Sequence, residues 1–289
     1  MDVVEFTPTR EQYAYTFGGV EPVMKVQPGS VLRLWSDDAF NGVLRSVDDV
    51  SGEKLTLPFV NPQTGPFYVE GAEPGDTLAL HFVAVEPARD WGASAAIPFF
   101  GGMTSTDRVV TLQDPLPDTT WIYELDRARN TVTFAARHSE HRIELPVAPM
   151  LGTVGVAPAG GEARSSLVPD RFGGNMDTPQ MRAGATVFLG VNVEGALFSI
   201  GDGHYRQGEG ETCGVAVEAA MDTVLAIDVV KGRTTPWPRL ESDTHLMSTG
   251  SARPLEDAFR ISHADLIAWM GEEHGLETLD AYQLLTQVS

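Results

Sequence analysis

A mainly β fold, with a β-sandwich or barrel-like core and a small α/β C-terminal portion ending in helices, is what the sequence predicts. Three observations carry this. Glycine and proline are frequent, 29 and 19 of 289 residues, or about one in six against an average near one in eight, which favours turns over long helices. Short apolar runs alternate with a period of two behind turn signals. Helical periodicity is confined to roughly the last forty residues.

In chain order, Val26-Gln27-Pro28-Gly29 opens a strand at 31–35 and Glu73-Pro74-Gly75-Asp76 opens one at 77–85, because Pro presets φ for a turn and the following Gly accepts positive φ. Arg182-Ala183-Gly184 does the same before 186–193. In the 77–85 strand Leu78, Leu80, Phe82 and Ala84 share one face, and Thr77, Ala79, His81, Val83 and Val85 the other. Similar strands are expected at 132–136, 142–145 and 224–230. The stretch 157–171, with Gly160-Gly161 and Ser165-Ser166, reads as a long surface loop. A helix starts at Pro254-Leu255-Glu256-Asp257, with Leu255, Phe259, Leu266, Trp269 and Met270 on its apolar stripe, and His274-Gly275 stops it. A second helix from Thr278 places Leu279, Tyr282 and Leu284 or Leu285 on one face. Both are expected to pack rather than to do chemistry. The predicted division is an N-terminal β domain over 1–142 and a second β-rich portion over 143–289, with helices from about 254.

Charge and cysteine content narrow the function classes. The net charge of −20 repels phosphate backbones and anionic head groups, which excludes nucleic acid and membrane surfaces as expected partners. The single cysteine, Cys213, excludes an intrachain disulfide and any zinc site built on two thiolates. The start lacks a basic n-region followed by an apolar run, and no stretch approaches the roughly 18 apolar residues of a membrane span, so a cytoplasmic protein is expected.

Several familiar motifs fail. Gly92-Ala93-Ser94-Ala95-Ala96 lacks the last glycine of a nucleophile elbow. No Walker loop or H-E-x-x-H is present. Gly201-Asp202-Gly203-His204-Tyr205-Arg206 lacks the final glycine of a dinucleotide fingerprint and opens into no helical pattern.

What remains is an acidic, glycine-rich stretch at 200–214, between apolar strands expected at 195–200 and 215–218. It carries Asp202, His204, Gln207, Glu209 and Glu211 among five glycines, which let a backbone turn tightly and approach a ligand. Upstream, Phe172-Gly173-Gly174-Asn175-Met176-Asp177-Thr178 sets Asn175 and Asp177 two apart, on one face of an extended chain.

These segments resemble the acetamidase/formamidase family. The likeness is carried by Phe-Gly-Gly-Asn-Met-Asp at 172–177, the run Val-Glu-Gly-Ala-Leu-Phe-Ser-Ile-Gly-Asp-Gly-His-Tyr-Arg-Gln-Gly-Glu-Gly-Glu at 193–211, and Cys-Gly-Val-Ala-Val-Glu at 213–218. It continues through Thr-Phe-Gly-Gly at 16–19, Asp-Asp-Ala-Phe at 37–40, Asn-Pro-Gln-Thr-Gly-Pro at 61–66, Glu-Gly-Ala-Glu-Pro-Gly-Asp at 70–76 and Pro-Met-Leu-Gly-Thr-Val-Gly-Val-Ala-Pro at 149–158. It departs from the family at Phe172, where many members have His, at Glu209, where Asp is more usual, and at Ser289, past which members continue.

The resemblance implies hydrolysis of short linear amides, of formamide or acetamide type, to carboxylate and ammonia on a β-rich fold. That reaction needs an activated water, a stabilised oxyanion and a proton for the leaving nitrogen. A divalent ion meets the first two needs, with zinc preferred and calcium or manganese as alternatives. Asp202 and His204 are the expected ligands, since carboxylate and imidazole suit such an ion, with Asp38, Glu218 and Glu70 as further ligand candidates. Glu209 and Glu211 are the expected proton carriers. Asn175 is assigned to substrate with Asp177 orienting it, and Gln207 and Glu70 are further substrate-binding candidates. Trp35, Phe99, Phe100 and Met176 are candidate pocket walls.

Cys213 as nucleophile is the metal-free option, disfavoured because a strand pattern follows it and a lone Cys usually packs as a small hydrophobe. His245 is a reserve ligand. His81, His138, His141, His263 and His274 are assigned surface or structural roles. The competing function class is a non-catalytic Ca²⁺-binding β-sandwich module, and His204 argues against it because a hard calcium shell has little use for imidazole. A homo-oligomer, dimer or higher, is expected, with the helical apolar face between Leu255 and Leu285 as interface.

Overall fold

The computed structural model describes residues 3–103 and 115–289. Its largest sheet has seven strands in the order β1 (Val3–Phe6), β4 (Val31–Ser36), β17 (Met221–Val230), β6 (Thr77–Pro87), β15 (Thr186–Gly190), β18 (Arg239–Glu241) and β19 (Leu246–Ser248). A second sheet of six orders β13 (Pro169–Asp170), β14 (Gly173–Asn175), β11 (Met150–Gly155), β16 (Phe198–His204), β5 (Gln63–Val69) and β3 (Met24–Val26). Four strands, β10 (Arg142–Pro146), β9 (Thr131–Ala135), β8 (Thr119–Asp126) and β7 (Trp91–Ala96), form a third, and β2 (Thr16–Phe17) pairs with β12 (Arg164–Ser165). The helices are α1 (Ser51–Lys54), α2 (Leu255–His274) and α3 (Thr278–Val288). The fold is mainly β, as expected, and the sheets stay open rather than closing into a barrel.

The two larger sheets share one apolar core. Leu32 and Leu34 of β4, Leu78, Leu80 and Phe82 of β6, Val187 and Leu189 of β15, and Leu225 and Ile227 of β17 meet Phe67, Leu151, Val154, Phe198 and Ile200 from the second sheet. Strand β6 follows its Pro-Gly turn, where Gly75 sits at φ 98°, and pairs with β17 and β15 on its two edges. It therefore lies in the middle of the sheet, with Leu78, Leu80 and Phe82 inward and Val83 exposed.

The expected boundary near 143 falls within this interleaving. Residue 143 lies inside β10, the seven-stranded sheet alternates strands from before and after it, and the six-stranded sheet joins four later strands to the earlier β5 and β3, so residues on both sides of 143 share one core. The expected loop at 157–171 contains the short strands β12 and β13. The segment 215–218 forms isolated bridges from Glu218 to Ala93 and His204 instead of a strand.

Helix α2 ends as predicted, with Gly275 in the left-handed conformation at φ 66°. Its buried face is Ala258, Asp265, Trp269 and Met270, whereas Leu255 and Phe259, assigned to the apolar stripe, are exposed. On α3 the buried residues are Ala281 and Leu285, with Leu279 and Tyr282 outside. The helices thus present apolar side chains to solvent, and light scattering is expected to give at least twice the mass of one chain; the mass of a single chain at micromolar concentration would remove the homo-oligomer. Among the described residues no helix is long and apolar enough to cross a membrane.

Candidate active site

The site is built on four adjacent strands, β14, β11, β16 and β5. Strand β16 carries its centre. It begins at Phe198, after Gly195, Ala196 and Leu197 turn through positive φ, and runs on through Gly201-Asp202-Gly203-His204. Asp202 and His204, expected on a glycine-rich loop, stand on a buried strand instead. The glycines make this possible by excluding side chains where the neighbouring chain comes close. A Cβ at Gly201 would meet the Pro62 carbonyl at 2.7 Å, and one at Gly203 would meet Met221 Cγ at 2.2 Å.

Three carboxylates and the Gln207 amide join this pair. His204 Nε2 lies 3.3 Å from Asp202 Oδ1 and 3.1 Å from Glu218 Oε2. Glu218 is held by reciprocal backbone bonds with Ala93 of β7, and its Oε1 accepts from the Ala216 N–H at 2.8 Å. Asp177 and Glu211 bring further carboxylates to His204, so that Asp202/His204/Glu218 and Asp177/His204/Glu211 each have ligand atoms within 4.8 Å of one another. Gln207 Nε2 donates to the Asp177 carbonyl at 2.6 Å, which fixes the amide and turns its Oε1 toward His204 Nδ1 at 2.8 Å. An accepting oxygen there requires a proton on Nδ1. Nε2 is then the nitrogen that faces the carboxylates.

On the far side of Asp202 the Thr153 hydroxyl lies 3.0 Å from Asp202 Oδ2 and 2.5 Å from Asn175 Oδ1. Asn61 Nδ2 donates to Thr153 at 3.0 Å and to the Ser166 carbonyl at 3.1 Å, and Gln63 orients Asn61 by donating to its Oδ1 at 2.7 Å. Gly152 forms the floor: a Cβ there would stand 2.5 Å from Asp202 Oδ2 and 2.6 Å from Asp177 Oδ1. Gly152→Ala is therefore expected to displace both carboxylates and to abolish divalent-ion binding while the β-rich circular dichroism persists; unchanged ion affinity would show that the floor can yield.

Burial sets the electrostatics. It pushes the Asp177 carboxyl well above its ordinary range, with the Asp202 and Glu211 charges adding to the effect. Burial, then Asp202, raises Glu218 to about 8, and the same two causes raise Glu211 to about 7, each against the attraction of His204. Burial disfavours the His204 imidazolium, but Glu218 and Asp202 overcome it and hold the ring well above its usual value. Asp202 goes the other way: burial opposes its charge, and His204 with the hydrogen bonds around it lowers the carboxyl below the ordinary range.

The donor set fits a cation. Asp177 Oδ1 is buried with no hydrogen-bond partner among the described residues, and Glu218 Oε2, also buried, has only the His204 Nε2 ion-pair contact at 3.1 Å, a costly state that a positive ion relieves. Four carboxylates and an imidazole are the ligand types that hold divalent metals.

Three of the expected site residues lie elsewhere. Asp38 is spent on Arg89, with which it forms a short ion pair, and its Oδ1 accepts from the Phe40 and Gly42 N–H groups. Glu70 follows β5 at the far end from the site and pairs with Gln27. Glu209 is exposed and reaches Gln180 at 3.4 Å. Cys213 is exposed, its Sγ directed at the Val215 carbonyl, and His245 contacts Thr244.

The acetamidase/formamidase family model matches residues 14–161 and 147–254. The chain belongs to this family. An acetamidase of Yersinia enterocolitica has a crystal structure that superposes with a TM-score of 0.91 at 40% identity, covering 99% of this chain and 85% of that one. For the acetamidase of Bacillus halodurans the values are 0.85 and 28%, covering 98% and 90%. In sequence, the chain is 27% identical to the acetamidase of Mycolicibacterium smegmatis over 72% of its own length and 63% of that protein. The putative formamidase of Schizosaccharomyces pombe is 26% identical over 71% of this chain and 61% of its own length. The chain therefore spans less than two thirds of these curated relatives. Asn61, Gly152 and Thr153, to which sequence reasoning assigns no chemistry, fall inside two of the segments that carry the family resemblance.

Proposed function

We propose that the protein hydrolyses primary amides to a carboxylate and ammonia with the help of a divalent ion, preferably zinc, held by Asp202, His204 and Glu218. The observation that carries this reading is the convergence of buried and half-buried carboxylates on His204 at the base of a cavity, with the buried Asp177 Oδ1 left without a hydrogen bond among the described residues. Bound there, a divalent ion supplies positive charge that favours ionisation of water and stabilises an oxyanion.

The protein groups supply the rest. The Gln207 amide keeps the proton on His204 Nδ1, leaving Nε2 as a donor atom for the ion. Asp177 and Glu211, on the cavity side, are the proton carriers: a carboxyl near 7, such as Glu211, exchanges protons readily at neutral pH. In the balanced reaction the water oxygen bonds to the carbonyl carbon, the carbon–nitrogen bond breaks, and the proton taken from water goes to nitrogen. Asn175, hydrogen-bonded to Thr153, presents its amide toward the substrate. Glu209 is left out because it is exposed and does not reach His204.

The deciding experiment is ammonia release from a series of primary amides, from formamide and acetamide upward, by protein loaded with Zn²⁺ or Mn²⁺. Turnover of at least one is expected; failure with all would overturn the reading. Because the proposed ligand Glu218 holds its proton up to about 8, an incoming ion must displace it, so its affinity is expected to rise from about pH 6 to about pH 8. Calorimetry in buffers of different ionisation enthalpy reads the released protons. Binding without proton release would place the ion elsewhere.

A further inference from the structure

The cavity above the carboxylates is larger and more apolar than an amide of one or two carbons needs. It encloses about 320 Å³, and Asn61, Asn175, Asp177, Asp202, Glu211 and Glu218 line its polar end. The other end is walled by Phe40, Leu55, Val60, Ile97, Pro98 and Leu167, with Leu57, Phe99 and Phe100 at the mouth. One water takes about 30 Å³ of liquid volume, so the space holds roughly ten water-sized groups. Acetamide has four non-hydrogen atoms and would leave most of the apolar wall against water.

The mouth supports the same conclusion. Leu57, Phe99 and Phe100 are 75%, 53% and 43% exposed, which places apolar surface around the opening. Phe99 holds a left-handed backbone at φ 62°, a conformation that costs a non-glycine residue energy. Its segment is tied to the loop that carries Glu211, for Gly102 N–H donates to the Thr212 carbonyl at 3.0 Å. Charge restricts the ligand further. None of the described lining residues is Lys, Arg or His, so a carboxylate at the far end of a substrate, against the apolar wall and away from the ion, loses its hydration and finds no protein counter-ion.

Resting on the amide hydrolysis proposed above, we infer that the preferred substrate is a neutral primary carboxamide whose apolar chain or ring brings it to about eight to ten non-hydrogen atoms. The carboxamide lies over Asp177, Asp202 and Glu211, and the chain runs along Leu55, Ile97 and Leu167 to the Phe99 rim.

A kcat/KM series over acetamide, butanamide, hexanamide and phenylacetamide tests this. Each methylene buried is expected to raise kcat/KM about three- to fourfold, or about tenfold from butanamide to hexanamide. An amide of hexanamide length ending in a carboxylate is expected to react at least about tenfold more slowly than hexanamide. Phe99→Ala, at an exposed rim position, is expected to lower the hexanamide-to-acetamide ratio several-fold. Turnover of acetamide with a flat or falling series, an unpenalised anionic amide, or an unchanged ratio in Phe99→Ala would overturn this inference and leave amide hydrolysis standing. Absence of turnover with every amide would remove both.

Discussion

Asp202→Asn is expected to lower kcat/KM by about a thousandfold or more for whichever amide is turned over best, and to weaken divalent-ion binding in parallel. The magnitude follows from the role. An ion that polarises a carbonyl and activates water contributes several kcal/mol to the transition state, and each 1.36 kcal/mol is about tenfold in rate. Asp202 is the carboxylate whose charge is held even under full burial, its pKa lying below the ordinary range. The amide keeps the shape of the side chain and can still accept from Thr153, now 3.0 Å from Oδ2. The fold should therefore survive, and circular dichroism should match the parent. His204→Ala is expected to act in the same direction, because it removes the nitrogen ligand that stands between the Asp202 and Glu218 carboxyls. Titration of Zn²⁺ or Mn²⁺ into each variant, with ammonia release measured on the same samples, separates loss of ion from loss of chemistry. An Asp202→Asn protein that binds the ion as the parent does and keeps its rate would require another carboxylate to hold it.

Period-two alternation makes β6 and its neighbours legible in the sequence, because Leu78, Leu80 and Phe82 sit on a strand with one face fully inside the core. The same rule, applied to Gly201-Asp202-Gly203-His204, puts two polar side chains on one face and two glycines on the other. Composition obscures it: glycine and charge together signal a loop, and only the crowding at Gly201 and Gly203 shows that they are strand glycines under a neighbouring chain. Glu218 is identifiable in the sequence as an acid near the site, but its approach depends on bridges to Ala93 and His204, partners 125 and 14 residues away. Asp38 illustrates the converse: an acidic motif shared with the family, yet committed to Arg89. Helix α2 gives a further case. Its length and end are plain from the pattern, and Trp269 and Met270 of the expected stripe are buried, but Leu255 and Phe259 are exposed and the buried face takes in the acidic Asp265 instead.

That aspartate underlies the largest stability change expected outside the site. Asp265 receives Arg239 Nε and Nη2 through two bonds of 2.9 Å, and Ser248 donates to the same carboxylate at 2.5 Å. Both charged residues are almost completely buried, at 5% and 2% exposure, and the Arg239 guanidinium also lies over the Trp269 ring at 5.2 Å from its centroid. The pair thus fastens α2 to β18 and β19 at the edge of the seven-stranded sheet. Its net contribution is modest because both ions lost their hydration on folding, but removing one partner strands the other in a dry environment. Asp265→Ala is accordingly expected to destabilise the protein by about 3–5 kcal/mol, read as a lower denaturation midpoint in urea. Glu272, 3.1 Å from Arg239 Nη1, offers only partial compensation because it is half exposed. The double replacement Arg239→Met with Asp265→Leu is expected to cost less than Asp265→Ala alone, since no buried charge is then unpaired. If the single variant lost less than about 1 kcal/mol, water would have to reach the guanidinium, and α2 would be a loosely attached helix rather than a clamped one.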